Sequence, residues 1–363
     1  MDTSLHRWIS ARLEATGPVP FARFMEWCLY HPEYGYYTAG RVRVGDDAGD
    51  FTTSPHVSTV FAACVARFVT TLDRALGHPP AFTLIEGGPG EGRLAGDLLD
   101  TLARREPGLY GRVAYHLDEI SPALRERQHR ALEGHSERVR SGLPQHRVTG
   151  LYLSNELVDA LPVNRFIRRG EELLEVWVEW DGKGLHEVLR PPADPAVAAM
   201  AEALDPADGC LVEVRPGAGP WLERAAACLE RGAIVTVDYG DAAHRLFGPH
   251  RPGGTCVGYR GHHQSAELLA APGEQDLTAQ VDFTDLARRG ERLGLVNAPL
   301  RKQREFLFAA GLLAELEELE ASDRTDLEKL QLRQAVAPLL MPGAGMGDAF
   351  KVLVQTKGVE EPF

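Results

Sequence analysis

The residues best suited to chemistry lie in the segment IEGGPGEG, which sets Glu86 just ahead of Gly88, Pro89, Gly90 and Gly92. Glycines at that spacing let the backbone turn sharply and let a ligand come close to it. The apolar run before Glu86 and the amphipathic run after Gly92 predict a strand, a tight turn and a helix. Glu86 then stands at the carboxyl end of its strand. Glu119, followed by Ile120, ends the next predicted strand, where a carboxylate can accept both hydroxyls of a ribose. A bare structural turn would use the same glycines, and NAD would fit the same outline. An acid directly before the glycines, Pro89 within them, and Glu91, which would repel a pyrophosphate at the helix start, favour S-adenosylmethionine.

Methyl transfer from that cofactor is an in-line displacement at the sulfonium methyl, so the protein mainly aligns the acceptor and stabilises changing charge. An arginine acceptor keeps its proton to very high pH, and buried carboxylates would have to orient its guanidinium. Asn155 and Glu156 follow the predicted strand LYLS, and Asp159 comes one helical turn later. With Asp238, at the strand end in GAIVTVDYG, these are the candidate catalytic residues; Asn155 is also placed to touch the cofactor. Asn155 could instead cap a helix, and Asp238 with Tyr239 could form a plain strand-end turn. Tyr239 is a candidate for substrate contact.

GDFTTSP supplies Asp50 and Thr53 as candidate cofactor contacts and Thr52 and Ser54 as candidate substrate contacts. They fall in a lid-like loop, although Ser54-Pro55 would also serve simply to open a helix. Gln275 and Asp276 are further substrate-side candidates, with Thr278 beside them for the same cleft. No metal site is expected. His262 and His263 are adjacent rather than at helical ligand spacing, and His244 and His250 lie among glycine and proline.

These residues need elements to hold them. FTLIEGGPGEGRLAGDLLDTL, VAYHLDEISPALRERQHRAL, GLYLSNELVDALP and GAIVTVDYG alternate strands with turns and helices, which implies a mostly parallel sheet with right-handed crossovers. The fold class expected is α/β with a Rossmann-like core. AFKVLVQTK reads as a last strand returning to it. RFIRRGEELLEVWVEWDGKGLHEVL alternates with period two and turns at Asp181-Gly182, predicting an antiparallel β insertion. Leu5, Trp8, Ile9 and Leu13 fall at helical spacing, and a second helix is predicted from Phe21 to Leu29.

The division expected is N-terminal helices and the lid-like loop over 1–56, and a cofactor-binding core over 57–254 with its insertion at about 162–200. A mainly helical, substrate-side C-terminal insertion follows over 255–344, and the returning strand over 345–363. The acidic stretch AELEELEASDRTDLEKL is read as a solvated helix face.

A net charge of −13, from 39 Lys and Arg against 52 Asp and Glu, excludes non-specific nucleic-acid binding, which runs on excess basic charge. Cys28, Cys64, Cys210, Cys228 and Cys256 are scattered, as suits a reducing compartment. No apolar run approaches the roughly 20 residues that span a bilayer. The first residues lack the apolar core of a signal peptide, and Asp2 and Glu14 do not suit a mitochondrial presequence, so a cytoplasmic protein is expected.

Taken together the motifs resemble the MidA-like family of methyltransferases, which has a mitochondrial branch containing a protein-arginine methyltransferase. The resemblance runs from about residue 5 to 358. It rests on HPEYGYY (31–37), GDFTTSP (49–55), EGGPGEG (86–92), EISPALRERQ (119–128), SNELVDALPV (154–163), VDYG (237–240), GEQDLTAQVDFT (273–284) and MGDAFKVL (346–353), in that order. It implies a class I methyltransferase that uses S-adenosylmethionine to methylate an arginine nitrogen on a protein or peptide. Nucleic acid and membrane are not among the implied partners, and the chain could form a homodimer.

Three departures stand out, one of them the unusual stretch between Tyr37 and Gly49. Gly87 occupies the place of the family's usual Leu or Ile, and Arg215 stands in VEVRPG where relatives tend to carry a small polar residue. Fold and cofactor site do not fix the acceptor, so methylation of a small-molecule or peptide natural product is an alternative. An assembly or chaperone factor that keeps the fold is another, and the intact glycine turn argues against it.

Overall fold

The strand FTLIEG is buried along its whole length, as an apolar run inside a parallel sheet must be. In the computed structural model, which describes residues 3–39, 59–261, 263–343 and 345–360, this strand is β1 (Phe82–Gly87). It is joined by β2 (Val113–Asp118), β3 (Val139–Ser141), β4 (Val148–Asn155), β5 (Leu229–Asp241) and β6 (Phe350–Lys357) in the order β3-β2-β1-β4-β5-β6. The pairings from β3 to β5 are parallel. β6 returns antiparallel to β5, with Val235 opposite Val354. This is the expected α/β sheet, and its four long parallel strands end on one edge.

Of the described residues, those within Thr52–Leu157, Trp221–Gly240 and Leu286–Phe363 form the compact unit that holds this sheet. Helix α1 (Thr59–Ala75) is apolar on most of its circumference and is buried accordingly. Helix α2 (Arg93–Arg105) buries Leu94, Ala95, Leu98, Leu99 and Leu102, one stripe at helical spacing. Helix α3 (Pro122–Ala131) begins as EISP predicts: the Ser121 hydroxyl accepts from the Leu124 N–H and Pro122 takes the first turn. The acidic stretch does not simply face solvent. Glu315 is buried and, with Glu318, forms ion pairs to Arg67 and Arg105.

The described residues within Met1–Phe51, Val158–Pro220 and Asp241–Asp285 form a second unit. Its sheet is antiparallel. Glu172–Trp180 pairs with Asn164–Arg169, Leu185–Arg190 and Val19–Pro20, and Asn164–Arg169 also pairs with Leu211–Val214. The hairpin turns at Asp181, whose carboxylate accepts from the N–H groups of Lys183 and Gly184. Leu5, Ile9 and Leu13 are buried, in one cluster with Phe21, Phe24 and Val178. In the stretch expected to be mainly helical, helices begin only at Phe283. Val257–Arg260, His263–Ser265 and Asp276–Thr278 form a small antiparallel sheet before it. Gly258, Gly261 and Gly273 interrupt any helical run there.

Candidate functional site

In the unit with the parallel sheet, the glycine turn after β1 takes backbone angles that a side chain resists: φ is 63° at Gly88, 52° at Gly90 and 83° at Gly92. A Cβ at Gly90 would meet nothing within 4 Å, so its face is open to a ligand. Gly87 is explained by packing, since a Cβ there would lie 2.6 Å from the Tyr152 hydroxyl. The turn is pinned from several sides. The Gly88 N–H donates to the Asp118 carbonyl at 3.0 Å, and the Gln128 amide donates to the Gly90 carbonyl at 2.6 Å. Glu91 is paired with Arg127 at 2.8 Å. Its charge is therefore largely met, which weakens the expectation that it repels phosphate.

Glu86 is buried, and its Oε2 accepts from the Tyr115 hydroxyl at 2.7 Å. Burial pushes its pKa up to about 7, opposed by the Tyr115 hydrogen bond and reinforced by Glu119. Glu119 lies just past the end of β2, half-buried, with Oε1 accepting from the Ser121 N–H at 2.8 Å. Burial raises its pKa too, against the pull of the Ser121 and Ile120 amides. Beside it Ile120 is 59% exposed, an apolar side chain left largely open to solvent.

At the end of β4, Asn155 is the last strand residue and a turn follows, so no helix is there for it to cap. Its Nδ2 donates to Glu156 Oε1 at 3.1 Å, while its Oδ1 is buried with no partner among the described residues. Glu156 has φ 54°, a left-handed conformation uncommon outside glycine. Asp238, fully buried near the end of β5, accepts from the Tyr239 N–H at 2.9 Å. Tyr239 packs on the Phe350 ring, with centroids 3.9 Å apart.

Other candidates belong to the second unit. Asp159 is buried and accepts from the Thr278 hydroxyl at 3.0 Å; burial raises its pKa while Arg215 opposes. Asp276 accepts from the Tyr37 hydroxyl at 2.8 Å. Gln275 donates to the Leu268 carbonyl at 2.8 Å and so holds a loop. Arg215 is buried and donates to the carbonyls of Asp159, Leu161 and Ala279 at 2.6–3.1 Å. Asp50, Thr52, Thr53 and Ser54, and the lid-like loop with them, lie outside the described residues.

Sequence reasoning missed Tyr115, Tyr152 and Tyr37 as partners of these groups, and it singled out Thr278 and Arg215 without their partners. Tyr115 carried a usable signal, a polar-tipped ring three residues before the end of a strand that alternates buried and half-buried positions. Glu86, Glu119 and the Asn155 oxygen are acceptors and Gly90 leaves its face open, which is the chemistry needed to hold a ligand with a sugar edge and a cationic amino-acid end. That is the make-up of S-adenosylmethionine.

The likeness to known proteins spans both units. The chain is 32% identical to the human protein arginine methyltransferase NDUFAF7, mitochondrial, over 96% of its own length and 82% of the relative's. It is 33% identical to the Bos taurus protein of the same name, over 97% and 83%. A crystal structure from Burkholderia thailandensis bound to S-adenosyl-homocysteine matches with a TM-score of 0.88 and 32% identity, covering 98% of this chain and 92% of that one. The expectation of a cytoplasmic protein is overturned by the curated relatives, which are named as mitochondrial. Residues 64–299 match the family described as "putative S-adenosyl-L-methionine-dependent methyltransferase". With that match covering most of the parallel sheet and its glycine turn, the chain belongs to this family of S-adenosylmethionine-dependent methyltransferases.

Proposed function

We propose that the chain transfers the methyl group of S-adenosylmethionine to a guanidinium nitrogen of an arginine on a protein or peptide. The observation that carries this reading is identity of 32% over 96% of the chain to a relative named as a protein arginine methyltransferase. The cofactor supplies an electrophilic sulfonium methyl. In our reading Gly88, Pro89, Gly90 and Gly92 admit it to the backbone, Glu119 accepts from its ribose hydroxyls, Ile120 covers its base, and Glu86 and Asn155 meet its polar end.

Glu156 and Asp238 are the residues of the parallel-sheet unit that we assign to the acceptor. A carboxylate beside a guanidinium orients it through charge-assisted hydrogen bonds and fixes which nitrogen points at the methyl. Tyr239, of the same unit, is assigned to the same task on the sequence pattern. The test is transfer of isotopically labelled methyl from S-adenosylmethionine in cell extract, followed by total hydrolysis. Label recovered in methylated arginine is the expected result. Label confined to small molecules, or to other amino acids, would overturn the assignment.

A further inference from the structure

Glu86 is 3% exposed, and the hydrogen bond that holds it comes from Tyr115, itself 1% exposed. Among the described residues no Lys, Arg or His forms an ion pair with it. Of the charged groups on the surrounding helices, Arg74 and Arg104 are exposed and the others are committed elsewhere. On α1, Arg67 pairs with Glu315 and Glu318, and Asp73 with Arg112. On α2, Arg93 leans on Asp97, Asp100 meets His135, and Arg105 pairs with Glu315. Glu91 of the turn is taken by Arg127, and Glu119 beyond β2 adds only repulsion. From β4 comes Asn155, which is uncharged. A carboxylate removed from water in such surroundings favours its protonated form.

S-adenosylmethionine brings positive charge at its amino-acid end and at sulfur. An ammonium has N–H groups to give a carboxylate, and a sulfonium has none. We propose that Glu86 and Tyr115 form a proton-linked clasp for the cofactor's amino-acid end. Without cofactor Glu86 holds a proton; when the α-ammonium arrives, that proton leaves for solvent and the carboxylate pairs with the ammonium. Tyr115 is a positioning residue, whose hydroxyl aims Glu86 and favours its ionised form. This rests on the reading of the glycine turn as the cofactor site.

The test is calorimetry of S-adenosyl-homocysteine binding to the full chain in buffers of different ionisation enthalpy, which counts protons. At pH 7 the wild type should release roughly half a proton per ligand, as expected for a group titrating near that pH. Glu86→Gln should release none. 5′-Methylthioadenosine, which lacks the amino-acid end, should bind without release. Tyr115→Phe keeps the ring in the core and removes the hydroxyl, so release should rise toward one proton. Its affinity should fall about tenfold at pH 6.5 and approach wild type at pH 9, for a shift of about one pH unit. A merely structural tyrosine would weaken binding equally at both values.

Release that persists in Glu86→Gln, or an affinity loss in Tyr115→Phe that does not change with pH, overturns the proposal. If Glu86→Gln binds too weakly to measure, Tyr115→Phe decides. Folded wild-type protein that binds no S-adenosyl-homocysteine would instead overturn the reading of the turn itself.

Discussion

The backbone N–H of Glu156 donates to the carbonyl of Val237 across 2.9 Å, and it does so from a left-handed backbone with φ 54°. The bond continues the β4–β5 ladder one residue beyond Asn155, which is paired with Val237 in register. Immediately afterwards the chain leaves the sheet. A glutamate in that conformation costs about 1 kcal/mol relative to glycine. Strain of this kind at a strand's carboxyl end, beside the unmet Asn155 oxygen, is a motive for assigning Glu156 to the reaction rather than to folding.

Two substitutions at Glu156 separate those roles. Glu156→Gln keeps the shape, so cofactor affinity should be unchanged while single-turnover methyl transfer falls by at least about a hundredfold. The charge is needed chiefly as the acceptor reacts. Glu156→Gly should also lose turnover, yet melt at a higher temperature because the strain is relieved. Normal turnover in a folded Glu156→Gln protein would return the residue to a purely structural part.

Glu119 should act on binding instead. Its carboxylate stands at the end of β2, with one oxygen held by the Ser121 N–H at 2.8 Å. Hydrogen bonds with a charged partner contribute roughly 1.5–3 kcal/mol each. Glu119→Ala should therefore weaken S-adenosyl-homocysteine binding by at least about tenfold, measured by calorimetry. Part of that loss belongs to the slackened Ser121 turn, so the ribose share is read from the 2′-deoxy cofactor, which should bind wild type less tightly than the intact cofactor does and bind the variant as well as the intact cofactor does. If the variant still prefers the intact cofactor to its 2′-deoxy form, the ribose assignment fails.

What was legible in the sequence is what local pattern controls. Apolar runs ending in acid and glycine gave the parallel strands and the turn, and period-two alternation gave the hairpin at Asp181. The division of the chain into two interleaved units was not legible, because nothing at Leu157–Val158 or Pro220–Trp221 marks a boundary in composition. Nor were the partners of the site residues. Tyr37 meets Asp276 across 239 positions and Thr278 meets Asp159 across 119, and no periodicity encodes such pairings. The strands at 257–278 were missed because each is only three or four residues long. Runs so short carry no period.

Arg215 shows the same limit and leads to a stability prediction. Its guanidinium joins carbonyls of two separate loops, Asp159 and Leu161 in one and Ala279 in the other, while buried. Removing it leaves those acceptors unmet in a dry site, at about 1–3 kcal/mol each where water cannot replace it. Arg215→Met should lower the melting temperature by several degrees or more, and Arg215→Lys, which cannot form the fork, should recover little of it. A melt within a degree of wild type for Arg215→Met would show that water substitutes freely.

Glu86 should make the cofactor-free protein less stable as pH rises. Its folded pKa of about 7 lies above the ordinary 4.5. Below pH 4.5 folded and unfolded chains both hold the proton, and the group contributes nothing. Between 4.5 and 7 the folded protein keeps a proton that the unfolded chain has released, so stability falls with pH across that window. Above 7 both forms are ionised and the penalty stays at its full size, at most about 3 kcal/mol. Other acids, the half-buried Asp97 and Asp118 and the buried Asp159 among them, shift the same way, so the wild-type slope alone proves little. The difference between wild type and Glu86→Gln isolates the one group. The two melting temperatures should differ least near pH 4, and the variant should become relatively more stable up to about pH 8. Saturating S-adenosyl-homocysteine should shrink that gap, because its ammonium stabilises the ionised carboxylate of the wild type and gains less from the amide. Melting curves that run parallel from pH 4 to pH 8 would mean that Glu86 titrates at its ordinary value, and that its burial is relieved by water.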